Sequence, residues 1–90
     1  MFFAYVLYSY KDKKLYNGYT PDNVFDRYYK HLCGMAPATE FRRPLELIYF
    51  EGYINQDDAL RREKYFKTTA GKRAISLMLR ETLKNIKNKK

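Results

Sequence analysis

Ninety residues suffice for one domain and are too few for two. The chain is 46% hydrophobic and 18% aromatic, with ten Tyr, six Phe and no Trp, so a dense core with half-buried phenol rings is expected. A net charge of +8 favours a polyanionic partner, nucleic acid first and an anionic membrane surface second.

The charge is uneven. Residues 1–70 carry 11 basic and 9 acidic side chains, whereas residues 71–90 carry 7 basic and 1 acidic. Cys33 is the one cysteine, which excludes an intramolecular disulfide and fits a cytoplasmic protein. The apolar run Phe2–Tyr8 is far shorter than the ~18 residues of a membrane span, and no membrane association is expected.

Phe2–Ser9 is aromatic and β-branched enough for a strand. Tyr10–Lys13 is a polar turn, and Lys14–Thr20 returns as the second strand of an antiparallel hairpin. Thr20-Pro21-Asp22-Asn23 ends that strand. Asn23 is placed to cap a helix, with Asp26 at N3 near the positive end of the helix dipole. Val24, Phe25, Tyr28 and Leu32 form its apolar stripe. Cys33–Pro37 is a loop with Gly34 at the C′ position.

A third strand runs from Leu45 to about Tyr53. Asn55 caps a second helix with Ala59, Leu60 and Phe66 on one face. Thr68–Gly71 interrupts the pattern. From Lys72 onward a third helix carries Ile75, Met78, Leu79 and Leu83 at spacings of three and four. The order β-β-α-β-α-α predicts an α+β domain, a three-stranded antiparallel sheet flanked by helices. Residues 1–84 form the domain, and 85–90 are read as a basic, flexible C-terminal tail.

Three sets of residues carry possible chemistry. Glu63 lies four after Ala59 and three before Phe66, which places a carboxylate in the apolar stripe of its helix. Such a group needs a partner. One reading is an i,i+4 pair with Lys67; the other is a hard divalent cation, which is held by few carboxylates plus water and phosphate. Arg27 and His31 are an i,i+4 pair on the first helix. They face solvent, or they hold an anion such as phosphate between them. Tyr5 and Tyr16 are near neighbours across the hairpin, where paired Tyr usually pack. Zinc, thiol, dinucleotide and P-loop chemistry are excluded by a single His, a single Cys and scattered glycines.

Taken together, these residues resemble the GIY-YIG superfamily, which includes the N-terminal nuclease domain of the excision-repair protein UvrC, homing endonucleases and small stand-alone bacterial proteins. The likeness is strongest to the stand-alone group and runs from Phe2 to about Leu83. The first triplet is Phe3-Ala4-Tyr5 and the second Tyr16-Asn17-Gly18. Arg27 and His31 follow on a helix, and Ala38-Thr39 through Arg42-Arg43-Pro44-Leu45 resembles the lead-in to the third strand. Ala59-Leu60-Arg61-Arg62-Glu63-Lys64, with Lys67-Thr68 and Gly71-Lys72-Arg73, is the most specific segment. Phe3, Ala4 and Asn17 depart from the family's triplets.

The resemblance implies a metal-dependent endonuclease with Tyr5, Tyr16, Arg27, His31 and Glu63 as its catalytic groups. It implies one divalent ion, Mg²⁺ or Mn²⁺, at Glu63. In that scheme Tyr5 activates water and passes its proton to His31, Tyr16 positions water or phosphate, and Arg27 neutralises developing charge. A neutral-pH tyrosine base needs nearby positive charge, for which Arg27, His31 and the metal are the candidates. Arg42, Arg43, Arg61, Lys72 and Arg73 are candidates for sequence-neutral contacts to the nucleic-acid backbone, DNA being favoured. A protein partner that supplies substrate choice is a further expectation. The rival reading is a nucleic-acid-binding module with the same basic surface and no cleavage.

Overall fold

A computed structural model describes residues 1–88. Its strands are β1 (Phe2–Ser9), β2 (Leu15–Thr20) and β3 (Leu45–Tyr53); its helices are α1 (Val24–Leu32), α2 (Gln56–Phe66), α3 (Thr69–Met78) and α4 (Arg80–Asn88). A short 3-10 turn, Glu40–Arg42, leads into β3. The expected α+β architecture holds: a three-stranded antiparallel sheet in the order β2-β1-β3.

β1 is the central strand, and every residue from Ala4 to Ser9 is buried. Alternate side chains of a strand point to opposite faces. Tyr5 and Leu7 therefore pack on one face with Val24, Leu45, Tyr16 and Tyr28, where α1 lies. Val6 packs on the other with Phe66, Ile75, Leu79 and Leu83 from α2, α3 and α4. Opposite Val6 and Leu7, β3 takes one extra residue, a bulge that shifts the register from Tyr49 to Leu47.

Both predicted caps form. Asn23 accepts from the backbone N–H of Phe25 at 2.9 Å and of Asp26 at 3.2 Å, and Asn55 accepts from Asp57 at 2.8 Å. α1 ends at Cys33 with Gly34 at φ +77°, in the left-handed region, as predicted.

Three expectations change. The apolar stripe of α1 was expected to bury Phe25 and Leu32, but Phe25 is 58% and Leu32 42% exposed. Val24 and His31 are the helix residues that reach the interior. The interruption expected over Thr68–Gly71 narrows to a single cap: Thr68 Oγ1 accepts from Gly71 N–H at 3.0 Å, and α3 starts at Thr69. Gly71 sits in that first turn because a Cβ there would come 1.8 Å from the Tyr65 carbonyl oxygen. The single third helix is in fact α3 and α4, separated at Leu79. Leu79 N–H bonds Ile75 O and Leu83 N–H bonds Leu79 O, each at 2.9 Å, so the four-residue spacing survives the break and periodicity cannot see it.

The boundary expected at residue 84 falls inside α4, which continues through Asn88 and buries Ile86. Lys89 and Lys90 of the expected tail lie outside the described residues.

Candidate active site

The strand triplets become intelligible from their register. Tyr5 on β1 is paired with Gly18 on β2. A Cβ at Gly18 would lie 2.3 Å from Cζ of Tyr5, so the phenol ring lies across a position that only glycine leaves open. Tyr16, two residues earlier, is on the same face. Its ring is tilted against Tyr5 with centroids 6.5 Å apart, a diagonal cross-strand pair. Asn17, between them, points to the opposite face. There its Nδ2 donates to the carbonyl of Phe66 at 3.2 Å, satisfying one of the free carbonyls at the end of α2.

α1 brings His31 and Arg27 to the same hydroxyl. Tyr5 Oη lies 2.8 Å from His31 Nε2, and Arg27 Nε donates to Tyr5 Oη at 3.4 Å. The other imidazole nitrogen, Nδ1, lies 2.6 Å from Thr39 Oγ1. The phenol accepts from Arg27 and retains a proton to donate to Nε2; in that arrangement His31 carries its own proton on Nδ1 and donates it to Thr39. The ring of Tyr16 is 5.4 Å from that of His31.

This corrects one expectation. His31 does not share an anion with Arg27, because it is fully buried. Burial, then the charge of Arg27, lowers its pKa to about 4. It is a neutral imidazole at pH 7 and lends no positive charge to Tyr5. The Tyr5 pKa is raised instead. Burial is the main cause, the hydrogen bond from Arg27 opposes it, and the fields of Tyr16 and Glu63 add to the rise. Tyr5 is a neutral phenol at rest.

Glu63 lies on α2, whose Phe66 packs on the Val6 face of the sheet, and its charge is the smallest contribution to the rise at Tyr5. The Glu63 side chain is only 15% exposed, as expected for a carboxylate on the apolar stripe of α2. Lys67 Nζ approaches Glu63 Oε2 to 2.5 Å, so the i,i+4 pair forms. Among the described residues no three His, Cys, Asp or Glu side chains cluster to cage a metal. A single half-sheltered carboxylate still fits a Mg²⁺-like ion, which keeps several waters and takes remaining ligands from substrate phosphate. Lys67, the partner in that pair, is 55% exposed.

The basic candidates separate into two groups. Arg42 is engaged: its Nε donates to Asp12 at 2.6 Å and its guanidinium to the Leu15 carbonyl, clasping the hairpin turn. Asp12 is held at a pKa of about 2 by that guanidinium. Arg43 donates Nε to Glu40 O at 3.0 Å and packs against Gly34. Arg61 is exposed and donates to Asp58 at 3.0 Å. Lys72 and Arg73 are exposed and form no ion pair among the described residues.

Thr39 and Gly18 were not singled out for the roles they have here. A buried histidine needs a partner on each ring nitrogen, but nothing in the spacing marks Thr39, eight residues on across a loop, as one of them.

A hairpin with these two tyrosines, a helix pairing Arg27 with a buried His31, and Glu63 on the helix after β3 together define one protein class. The chain belongs to the GIY-YIG catalytic domain family, whose model matches residues 1–76. It is 46% identical to a UPF0213 protein of Pediococcus pentosaceus over 67 residues, covering 73% of this chain and 68% of that protein. It is also 39% identical to the UPF0213 protein in the ldhD 5′ region of Pediococcus acidilactici, over 97% of this chain and 82% of that one. A UPF0213 protein of Staphylococcus epidermidis is 38% identical over 84% of this chain and 92% of its own length. No solved structure gives a significant match. Among the described residues, no helix is long and apolar enough to cross a membrane.

Proposed function

We propose that this chain is a divalent-metal-dependent endonuclease that hydrolyses phosphodiester bonds in DNA, with Tyr5, Tyr16, Arg27, His31 and Glu63 as its catalytic groups. The observation that carries the reading is the Tyr5 hydroxyl, held between Nε2 of His31 and the guanidinium of Arg27. A buried packing tyrosine needs one partner for its hydroxyl; Tyr5 has two, both basic side chains of one helix. The family supports the same reading.

The chemistry follows from what each side chain can hold. Arg27 presents a planar donor fork to a phosphoryl group and neutralises charge that builds on its oxygens. Tyr5 directs an attacking water, and its own proton moves onto Nε2 of His31. Thr39 holds that imidazole through Nδ1, so the acceptor nitrogen stays aimed at the phenol. Tyr16 borders the phosphate on the same face. Glu63 would hold Mg²⁺ or Mn²⁺; the bound ion supplies Lewis-acid stabilisation and lowers the pKa of groups beside it. Tyr5 is 1% exposed, so the half-buried Arg27 side chain shifts from its hydroxyl toward the phosphate as substrate enters.

The Glu63–Lys67 contact favours a second reading, a binding module that does not cleave, in which Glu63 serves α2 alone. Labelled single-stranded, duplex, flap and RNA substrates with and without Mg²⁺ or Mn²⁺ separate the two. Metal-dependent cleavage that Arg27→Ala abolishes is expected; binding without any cleavage across the set returns the chain to the second reading. The same substrates, with and without extracts of the host cell, test for a partner that supplies specificity.

A further inference from the structure

A second cluster lies away from Tyr5, where the end of β3 meets α2. Glu51 accepts from Nε and Nη2 of Arg62, at 2.9 and 3.1 Å, and from the hydroxyls of Tyr49 and Tyr53. Burial alone would raise the Glu51 pKa, but the bonds from Arg62 and the two tyrosines outweigh it and hold the carboxyl below its ordinary value. The pair is therefore ionised, and its two charges cancel locally. Arg62 is also stacked, its guanidinium carbon 4.5 Å from the Phe66 ring centroid and 5.3 Å from that of Tyr65.

Beside this lock is an open cavity of about 380 Å³ lined by Tyr53, Asp58, Arg61, Arg62 and Tyr65. That volume lies in the range of small-ligand sites, ~300–1,000 Å³. Residues 58, 61, 62 and 65 share one flank of α2 by their three- and four-residue spacing. Tyr53 closes the cavity from β3. Two phenol rings and a guanidinium plane offer flat surfaces, and two of these three are pinned by Glu51 before anything binds. The Arg62 charge is already satisfied by Glu51, and the Asp58 carboxylate on the wall pairs with Arg61 at 3.0 Å, so these lining residues offer phosphate no unpaired cation inside the cavity. Arg61, 73% exposed at the mouth, is the group placed to meet a phosphate outside.

We infer that this cavity is a nucleobase-binding site, taking one unpaired base between Tyr53 and Tyr65 with Arg61 on the adjoining backbone phosphate. This deepens the nuclease reading and rests on it for the placement of the strand. Glu63 follows Arg62 directly, so the cavity and the Glu63 face are neighbouring flanks of one helix, separated by on the order of 10 Å. When Arg61 turns from Asp58 to the backbone phosphate, the Asp58 carboxylate is left to accept from an exocyclic amine, which favours cytosine, adenine or guanine over thymine in the cavity.

The test is binding without metal, followed by anisotropy, to a labelled single-stranded oligonucleotide and to the same backbone with abasic residues. Tyr65→Ala is expected to weaken binding of the base-bearing strand roughly 5- to 150-fold, the loss of one stacked base, with no change in salt slope. Tyr65→Phe keeps the ring and restores affinity. Neither variant alters binding of the abasic strand. On the wild-type chain, an oligonucleotide containing 2-aminopurine is quenched on binding, a readout that does not depend on a variant folding. Equal losses on both strands, unchanged affinity of Tyr65→Ala, or unquenched 2-aminopurine overturns the site. Cleavage that persists beside those outcomes leaves the nuclease reading standing. Base-dependent binding without any metal-dependent cleavage sinks the nuclease reading and leaves the cavity assignment in place.

Discussion

His31 is a polar ring with no exposure, bonded at both nitrogens, on a helix whose larger apolar neighbours are left outside. Its depressed pKa has a consequence for stability. A histidine with pKa about 4 in the fold and 6.5 when unfolded binds protons preferentially in the unfolded chain. Its contribution is therefore complete above pH 6.5 and is lost as pH falls toward 4. Denaturant unfolding is expected to show a loss of about 2 kcal/mol between pH 7 and 5. The loss approaches about 3 kcal/mol near pH 4. In His31→Gln the slope between pH 7 and 5 should vanish; an unchanged slope would assign it to other groups. Glu63 is the second residue on which a magnitude decides. As a metal ligand, its replacement in Glu63→Gln should lower cleavage by orders of magnitude and leave metal-free affinity equal or higher, since a charge that repels phosphate is gone. As a helix-surface partner of Lys67 it should cost at most ~0.5 kcal/mol and leave cleavage intact. Rates measured beside Arg27→Ala, which excludes a contaminating nuclease, distinguish the two.

Between elements, α2 and α3 meet at a junction with no room for a further methyl group at Gly71. Thr68 Oγ1 donates to the Tyr65 carbonyl at 2.6 Å and accepts from Gly71 N–H, so one side chain ends α2 and begins α3. Replacing Gly71 with Ala in a free helix would gain roughly 1 kcal/mol. Here the added methyl meets a backbone oxygen that has no rotamer to change, and overpacking costs typically ~1–3 kcal/mol. Net destabilisation of Gly71→Ala is expected, read as a lower midpoint in thermal unfolding; a rise would mean that α3 moves away at little cost. Because α2 carries Glu63, the same variant should also lower cleavage. Asn17 holds the other side of that corner, through the Phe66 carbonyl.

For the whole molecule, the +8 charge acts through the groups the fold leaves free. Lys72 and Arg73 are exposed on α3, and Lys84 and Lys87 on α4. Affinity for nucleic acid should fall with salt, and Lys72→Ala with Arg73→Ala should reduce the slope of log affinity against log salt by about 0.7–0.9 for each phosphate contact removed. Arg42→Ala should leave that slope unchanged and instead cost up to ~1 kcal/mol of stability, because its guanidinium clasps Asp12. Filter or anisotropy titrations at several salt concentrations check both. A flat salt response would remove the polyanion argument.

Much was determined along the chain itself. Strand alternation, the caps at Asn23 and Asn55, the left-handed Gly34 and the carboxylate on the stripe of α2 are all local, set by one residue's φ preference or by a period of two or 3.6. Those local signals sufficed for the α+β order; the five candidate residues came together only through the resemblance of the whole chain to a family. What tertiary structure alone decided is how those groups are charged and held. That Tyr5 lies over Gly18 follows from strand register. That His31 is neutral follows from its burial and the Arg27 charge, and Thr39 holds it through the path of a loop. Arg42 is withdrawn from the surface by Asp12, thirty residues away in sequence. The Tyr53–Arg62–Tyr65 cavity joins a strand end to a helix flank. Each depends on distances between segments remote in sequence, and a pKa or a free guanidinium is a property of those distances rather than of the residue that carries it.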